Sequence, residues 1–203
     1  MTDVEVLLDW RGRCQRIGMM RRYAARHREA VTFEYDLAWL DAPETFSIDP
    51  ALPLGRGVFR PASGRDMFGT LGDSAPDTWG RTLMRRRERR AAEREGRAVR
   101  ALQEADFLLG VSDSTRLGAL RFRLEGDAVF QAPDSEGVPN MLALGRLLGA
   151  SERILRGEES DEDLVMIFAP GSSLGGARPK ASVIDQYGHL PDSRAKCNFS
   201  NLS

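Results

Sequence analysis

Leu120, Phe122 and Leu124 alternate with Arg121 and Arg123. In an extended strand successive side chains point to opposite faces, so this order buries one face and leaves the other charged. The same alternation recurs in Val31, Phe33 and Tyr35 against Thr32, Glu34 and Asp36. It recurs again in Val4, Val6 and Leu8 against Glu5, Leu7 and Asp9. Gly12 can turn the chain after that first strand, and Arg16-Ile17-Gly18-Met19-Met20 can return as a hairpin partner. Glu125-Gly126-Asp127 makes a tight turn from which Val129 to Gln131 can pair back. Trp39 and Leu40 anchor the end of the Val31 strand, and its aromatic residues read as core. A small β-rich unit at the N-terminus follows.

Helical patterns lie between and after these strands. Pro43 to Gly64 is a long loop with one short strand at Val58-Phe59. Met67, Phe68 and Leu71 fit a short helix or turn stopped by Gly72 and Pro76. Asp77 can cap the next helix, where Trp79 and Leu83 share a face. Arg81 to Arg100 carries nine arginines against Glu88, Glu93 and Glu95. It reads either as a basic patch for a phosphorylated partner or nucleic acid, or as a solvated helix with Arg–Glu pairs. Few aromatic residues interleave to stack bases, which favours the solvated helix. Val99, Leu102, Ala105 and Leu109 are spaced for a further helix face, with Gly110 as its stop. Pro133 to Pro139 is a loop, and Asn140 caps a helix with Met141, Leu144, Leu147 and Leu148 on its apolar face. Ser160-Asp161-Glu162-Asp163 could hold a metal, but it lacks alternating ligand spacing and a glycine turn. A helix N-terminus suits it better.

Apolar residues make up 41% of the 203 and charged residues 29%, a balance that supports a real core. The net charge of −1 gives no push toward nucleic acid or a membrane. No apolar run is long enough to span a bilayer, and the N-terminus lacks the apolar stretch of a signal peptide. Cys14 and Cys197, the only cysteines, suggest neither a disulfide framework nor a metal site. A cytoplasmic protein with reduced thiols and no metal ligands is the expectation. His27 and His189 are isolated and are assigned no chemistry.

Gly171-Ser172-Ser173-Leu174-Gly175-Gly176-Ala177-Arg178-Pro179-Lys180 links two extended segments. Glycines let the backbone approach a ligand closely, and successive N–H groups can form an anion-binding nest. Arg178, Lys180 and two serine hydroxyls add groups that suit a phosphate. A glycine-rich hairpin without ligand fits the same spacing.

This loop resembles the Gly-rich loop of the HipA family of serine/threonine kinases, the toxins of HipBA toxin–antitoxin modules. Three other segments resemble family signatures: Phe33-Glu34-Tyr35-Asp36-Leu37-Ala38-Trp39-Leu40, Asp73-Ser74-Ala75-Pro76-Asp77-Thr78-Trp79-Gly80-Arg81, and Leu108-Leu109-Gly110-Val111-Ser112-Asp113 running on to Arg116-Leu117-Gly118-Ala119-Leu120-Arg121-Phe122. The four segments occur in order across most of positions 1 to 184. The resemblance implies an α+β fold: a mixed sheet-and-helix HipA-like domain over residues 1–160, then the truncated start of a kinase-like N-lobe over 161–203.

It also implies ATP and Mg2+ as cofactors, with Gly175, Gly176, Ala177 and Lys180 against the phosphates and Ser173 as a regulatory autophosphorylation site. Phosphorylation of Ser173 would place about −2 charge where ATP phosphates should sit. The tail departs from the family and supports two alignments. In one, Ala195-Lys196 ends a strand and Lys196 contacts ATP, although Pro191 fits poorly in a strand interior. In the other, Asp192-Ser193-Arg194-Ala195-Lys196-Cys197-Asn198-Phe199-Ser200 resembles the catalytic loop, with Asp192 and Asn198 as the candidate catalytic residues. Neither completes a phosphoryl-transfer site, so the chain alone is not expected to catalyse the transfer. Family substrates are aminoacyl-tRNA synthetases. The implied partner is a HipB-like DNA-binding antitoxin or a HipA-type kinase, without direct nucleic-acid binding by this chain. The alternatives are a non-catalytic binding module or antitoxin-like partner, and a remnant without function.

Overall fold

The computed structural model describes residues 2–24, 29–111, 113, 116, 118–131 and 144–168. The chain divides into two compact units. One comprises Met1–Ala75, Gln103–Leu109 and Arg116–Ala132; the other comprises Pro76–Leu102, Gly110–Thr115 and Pro133–Ser203.

The first unit is built on five strands: β1 (Thr2–Trp10), β2 (Arg13–Ala24), β3 (Glu29–Tyr35), β4 (Val58–Phe59) and β5 (Leu120–Leu124). They form one antiparallel sheet in the order β4-β3-β2-β1-β5. The alternation read from the sequence sets its faces. Val4 pairs with Met20 and Leu124, and Val6 with Gly18 and Phe122. Met20 in turn opposes Phe33, and Gly18 opposes Tyr35. These positions share the buried face, together with Ile17, Val31 and Leu120. The register shifts between Val6 and Leu7, so that Ile17 is an extra residue of β2. Such a bulge keeps Ile17 in the core while the rest of the strand holds its alternation.

The core is closed by α1 (Leu37–Leu40), α2 (Gly69–Asp73), α4 (Glu104–Leu109) and the loop through Leu52. Each short helix depends on a carboxylate. Asp36 caps α1 locally by accepting from the Ala38 N–H at 2.9 Å. The other two caps come from distant segments. Asp49 accepts from the Thr70 N–H of α2 at 2.8 Å, and Glu29 accepts from the Ala105 N–H of α4 at 2.9 Å. Helices this short have too few internal bonds to stand alone, so capping and packing decide whether they form. Arg116 is buried beneath them. It donates to Leu108 O at 2.7 Å and Ser74 O at 3.2 Å, and stacks 4.7 Å from the Phe122 ring.

The opposite face of the sheet is a lattice of ion pairs. Glu5 holds Arg16 at 3.0 Å and Arg123 at 2.5 Å. Arg16 also reaches Asp36, and Arg21 reaches Glu34 at 2.7 Å. The arginine stems cover apolar surface here, which suits the low exposure of Leu7 and Thr32. Burial opposes ionisation of Glu5, but bonding by Arg123 and Arg16 holds its carboxyl below the usual range.

In the second unit α3 (Thr78–Glu95) starts at Asp77, whose carboxylate accepts from the Gly80 N–H. It ends at Gly96, left-handed at φ 62°. The expected helix through Val99 and Leu102 does not form: the next helix begins at Glu104, and Val99 is exposed. Glu88 explains this by accepting from the Arg97 guanidinium and the Arg100 N–H, which holds residues 97–100 off the helical path. The return of Val129 to Gln131 is likewise reduced to one bond, Gln131 N–H to Phe122 O at 2.7 Å. α5 (Leu144–Arg156) buries Ala150 and Ile154. α6 (Asp161–Phe168) starts in a reciprocal cap between Ser160 and Asp163. Residue 160 lies between α5 and α6, which pack together in this unit.

Candidate functional site

The residues singled out for kinase chemistry are Ser173, Gly175, Gly176, Ala177, Lys180, Asp192, Lys196 and Asn198. All of them lie outside the described residues, as do His27, His189 and Cys197. The other signature segments have structural duties where they are described. Phe33, Tyr35 and Trp39 are core residues, and Asp77 is a helix cap. Tyr35 shows why an aromatic hydroxyl belongs there: it donates to Leu52 O at 2.8 Å and accepts from Ile48 N–H, tying the loop onto the sheet.

The described residues do form one concave feature with exposed apolar walls, a groove of about 750 Å³ beside the β1–β2 turn. Leu8 is buried, but the next core-facing position, Trp10, runs past the end of the core and is 52% exposed. Across the groove Phe46 is 42% exposed and packs edge-on against Trp39, with ring centroids 5.4 Å apart. Trp39 itself is buried, and its indole N–H has no acceptor among the described residues.

The rim is polar. Arg11 and Gly12 occupy the turn at φ 51° and 74°, the pair of positive values of a type I′ hairpin. Asparagine or glycine is usual at the first of these positions. An arginine there carries strain of about 1 kcal/mol. Its guanidinium lies 6.0 Å from the Trp10 ring. Its counter-charge, Glu44, is 4.0 Å away, with both side chains about three-quarters exposed, a pairing of little strength. Arg13 and Gln15 complete this side. The arrangement can take a bulky apolar group between aromatic walls and a negative group at the rim. Sequence reading missed it because its walls come from two separated segments. The available signal was Trp10, an apolar strand position placed directly before a turn.

The arginine-rich helix behaves as a paired face. Arg86 donates to Glu159 at 2.9 Å and to Ile154 O at 2.7 Å, and Arg90 donates to Asp161 at 2.9 Å. Glu159 lies on the segment between α5 and α6 and Asp161 is the first residue of α6, so neither acid is one turn along α3. Glu88 does pair near the helix: bonding from Arg97 and from the Arg100 N–H holds its carboxyl down to about 2. The acidic cluster at 160–163 is a helix N-terminus, as its composition suggested, with Asp163 bonded to Arg153 at 2.8 Å.

Among the described residues no group of three or more His, Cys, Asp or Glu is placed to hold a metal ion. No helix among them is long and apolar enough to cross a membrane. An antiparallel five-stranded sheet, with short helices on one face and ion pairs on the other, defines an α+β domain. The family model described as HipA N-terminal domain matches residues 10–123, which takes in most of this sheet. That match spans more than half of the sequence, and the chain belongs to the HipA family. No curated protein matches it.

Proposed function

We propose that this chain is the N-terminal part of a HipA-type serine/threonine kinase toxin, acting in the cytoplasm within a HipBA-like module. The observation that carries the reading is the family match over residues 10–123, joined in sequence to the Gly-rich segment at 171–180. In this reading the amides of Gly175, Gly176 and Ala177, with Lys180, receive the ATP phosphates; Lys196 is a further, weaker candidate contact. Mg2+ and ATP, when bound, supply the transferable phosphoryl group and neutralise its charge. Ser173 is the regulatory phosphorylation position. Phosphoryl transfer is mainly positioning and charge stabilisation, so an incomplete set of groups removes most of the catalysis. The chain by itself therefore binds nucleotide without transferring phosphate. An aminoacyl-tRNA synthetase is the proposed class of substrate for the complete activity, and a HipB-like antitoxin is the proposed partner.

The test is the thermal unfolding midpoint of the purified chain with and without Mg-ATP. Nucleotide at about 100 times its dissociation constant adds about 2.7 kcal/mol to the folded state. A rise in midpoint that Lys180→Ala abolishes is the expected result. No rise at millimolar Mg-ATP would overturn nucleotide binding and leave the non-catalytic, antitoxin-like module. A pull-down against a HipA-type kinase and a HipB-type repressor then tests that reading. Magnesium-dependent transfer from radiolabelled ATP by the chain alone would overturn its catalytic incompleteness.

A further inference from the structure

We propose that the groove beside the β1–β2 turn is a docking site for a linear peptide segment that carries a bulky apolar residue next to carboxylates. Single exposed apolar side chains are ordinary on protein surfaces. Here two large aromatic residues, Trp10 and Phe46, face one concavity whose floor is already apolar. Aromatic residues half-exposed in a recess are typical anchors of peptide interfaces, because they bury much area with few rotatable bonds.

The charge at the rim selects the partner. Arg11 and Arg13 lie on it against one carboxylate, Glu44, which holds Arg11 only at 4.0 Å in open solvent. Arg16, Arg21, Arg22 and Arg123 of this sheet each reach a carboxylate at 3.0 Å or closer. The rim cations are thus available to an incoming acid, and a guanidinium can hold a carboxylate through two parallel bonds. The turn adds a second, independent observation. Arg11 adopts a left-handed conformation that glycine or asparagine would take with less strain. Strain retained in a backbone that packing does not require points to a role for the side chain. Among the described residues the Trp39 indole N–H at the floor has no acceptor. The inference does not depend on nucleotide binding at residues 171–180, so the two can fail separately.

The probe is a random dodecapeptide phage library selected on the immobilised full chain and counter-selected on Trp10→Ala. Enriched peptides are expected to combine Trp, Phe, Leu or Met with flanking Asp or Glu. A fluorescein-labelled peptide of the enriched sequence should lose affinity about tenfold or more in Trp10→Ala and in Arg13→Glu. Arg11→Gly should weaken the same peptide while leaving the thermal midpoint unchanged or raised, which separates binding from folding. Binding should also fall as salt rises.

Three results would overturn the proposal. The first is no enrichment over blank support. The second is enriched peptides that are basic, or that bind all three variants as tightly as the wild type. The third is sedimentation of the wild type as a dimer that Trp10→Ala converts to a monomer, which would make the groove a self-interface.

Discussion

A Cβ on Gly18 would sit 2.4 Å from the Cζ of Phe33 and 2.4 Å from the carbonyl oxygen of Glu34. The neighbouring strand therefore packs onto bare backbone here, and a side chain has nowhere to go. Gly18→Ala is expected to cost about 3 kcal/mol, the upper end of the usual price of overpacking. Urea unfolding of the two proteins measures it. The control is Gly145→Ala in α5, where a Cβ meets nothing within 4 Å. There the better helix former should leave stability unchanged or raise it by up to about 1 kcal/mol.

Asp49 should make the first unit acid-sensitive. Burial opposes its ionisation, but the N–H groups of Thr70 and Ala51 hold its carboxyl below the ordinary 3.8. A carboxyl lowered on folding stabilises the protein above its unfolded value. That contribution is complete above about pH 5 and is lost as pH falls through and below about 4. Asp49→Asn should cost about 1–2 kcal/mol at neutral pH. It should also flatten the decline in unfolding free energy on acidification. A mutant with the wild-type acid profile would place the sensitivity elsewhere, Glu5 being the next group to test.

Removing the guanidinium of Arg116 leaves the carbonyls of Ser74 and Leu108 without their donor in a buried place. Arg116→Met should therefore destabilise the chain by about 3 kcal/mol. Arg116→Lys should recover only part of it: one nitrogen, Nη1, donates to both carbonyls, a duty an ammonium can share, but an ammonium has no plane to stack on Phe122. Thermal unfolding of the three proteins gives the order. Equal stability of the lysine variant and the wild type would show that charge, not shape, is what this place requires.

Arg86 joins α3 to the end of α5 and to Glu159, whose side chain is only 9% exposed. Arg86→Ala should cost about 1–3 kcal/mol, because a largely buried carboxylate loses a partner. Amide hydrogen exchange should show the loss concentrated in α5 and α6, which share the segment it holds.

How far the fold can be read from the residues depends on the distance over which each signal acts. The strands were legible because alternation is local: Leu120, Phe122 and Leu124 declare their face without reference to any partner. Asp77 and Ser160 were legible as helix starts for the same reason, each acting within three residues. The caps of α2 and α4 were not, because Asp49 and Glu29 act on helices 21 and 76 residues away. Apolar spacing alone extended α4 back to Val99. The competing bonds from Glu88 to residues 97 and 100 could not be seen in that spacing. The groove was hidden because strand periodicity says which way Trp10 points but not where the core ends. The Gly-rich segment, most explicit in the sequence, lies outside the described residues and was legible only as a motif.

The order of strands has a consequence for synthesis of the chain. β1, β2 and β3 follow one another and can pair as soon as they emerge. The outer edge of β1 must wait for β5: Arg123 and Glu5, which bond across it, are 118 residues apart. At ordinary translation speeds that interval is on the order of 10 s. Throughout it the nascent sheet presents an open edge with Val4, Val6 and Leu8 beside it, the kind of template that invites pairing with a neighbouring chain.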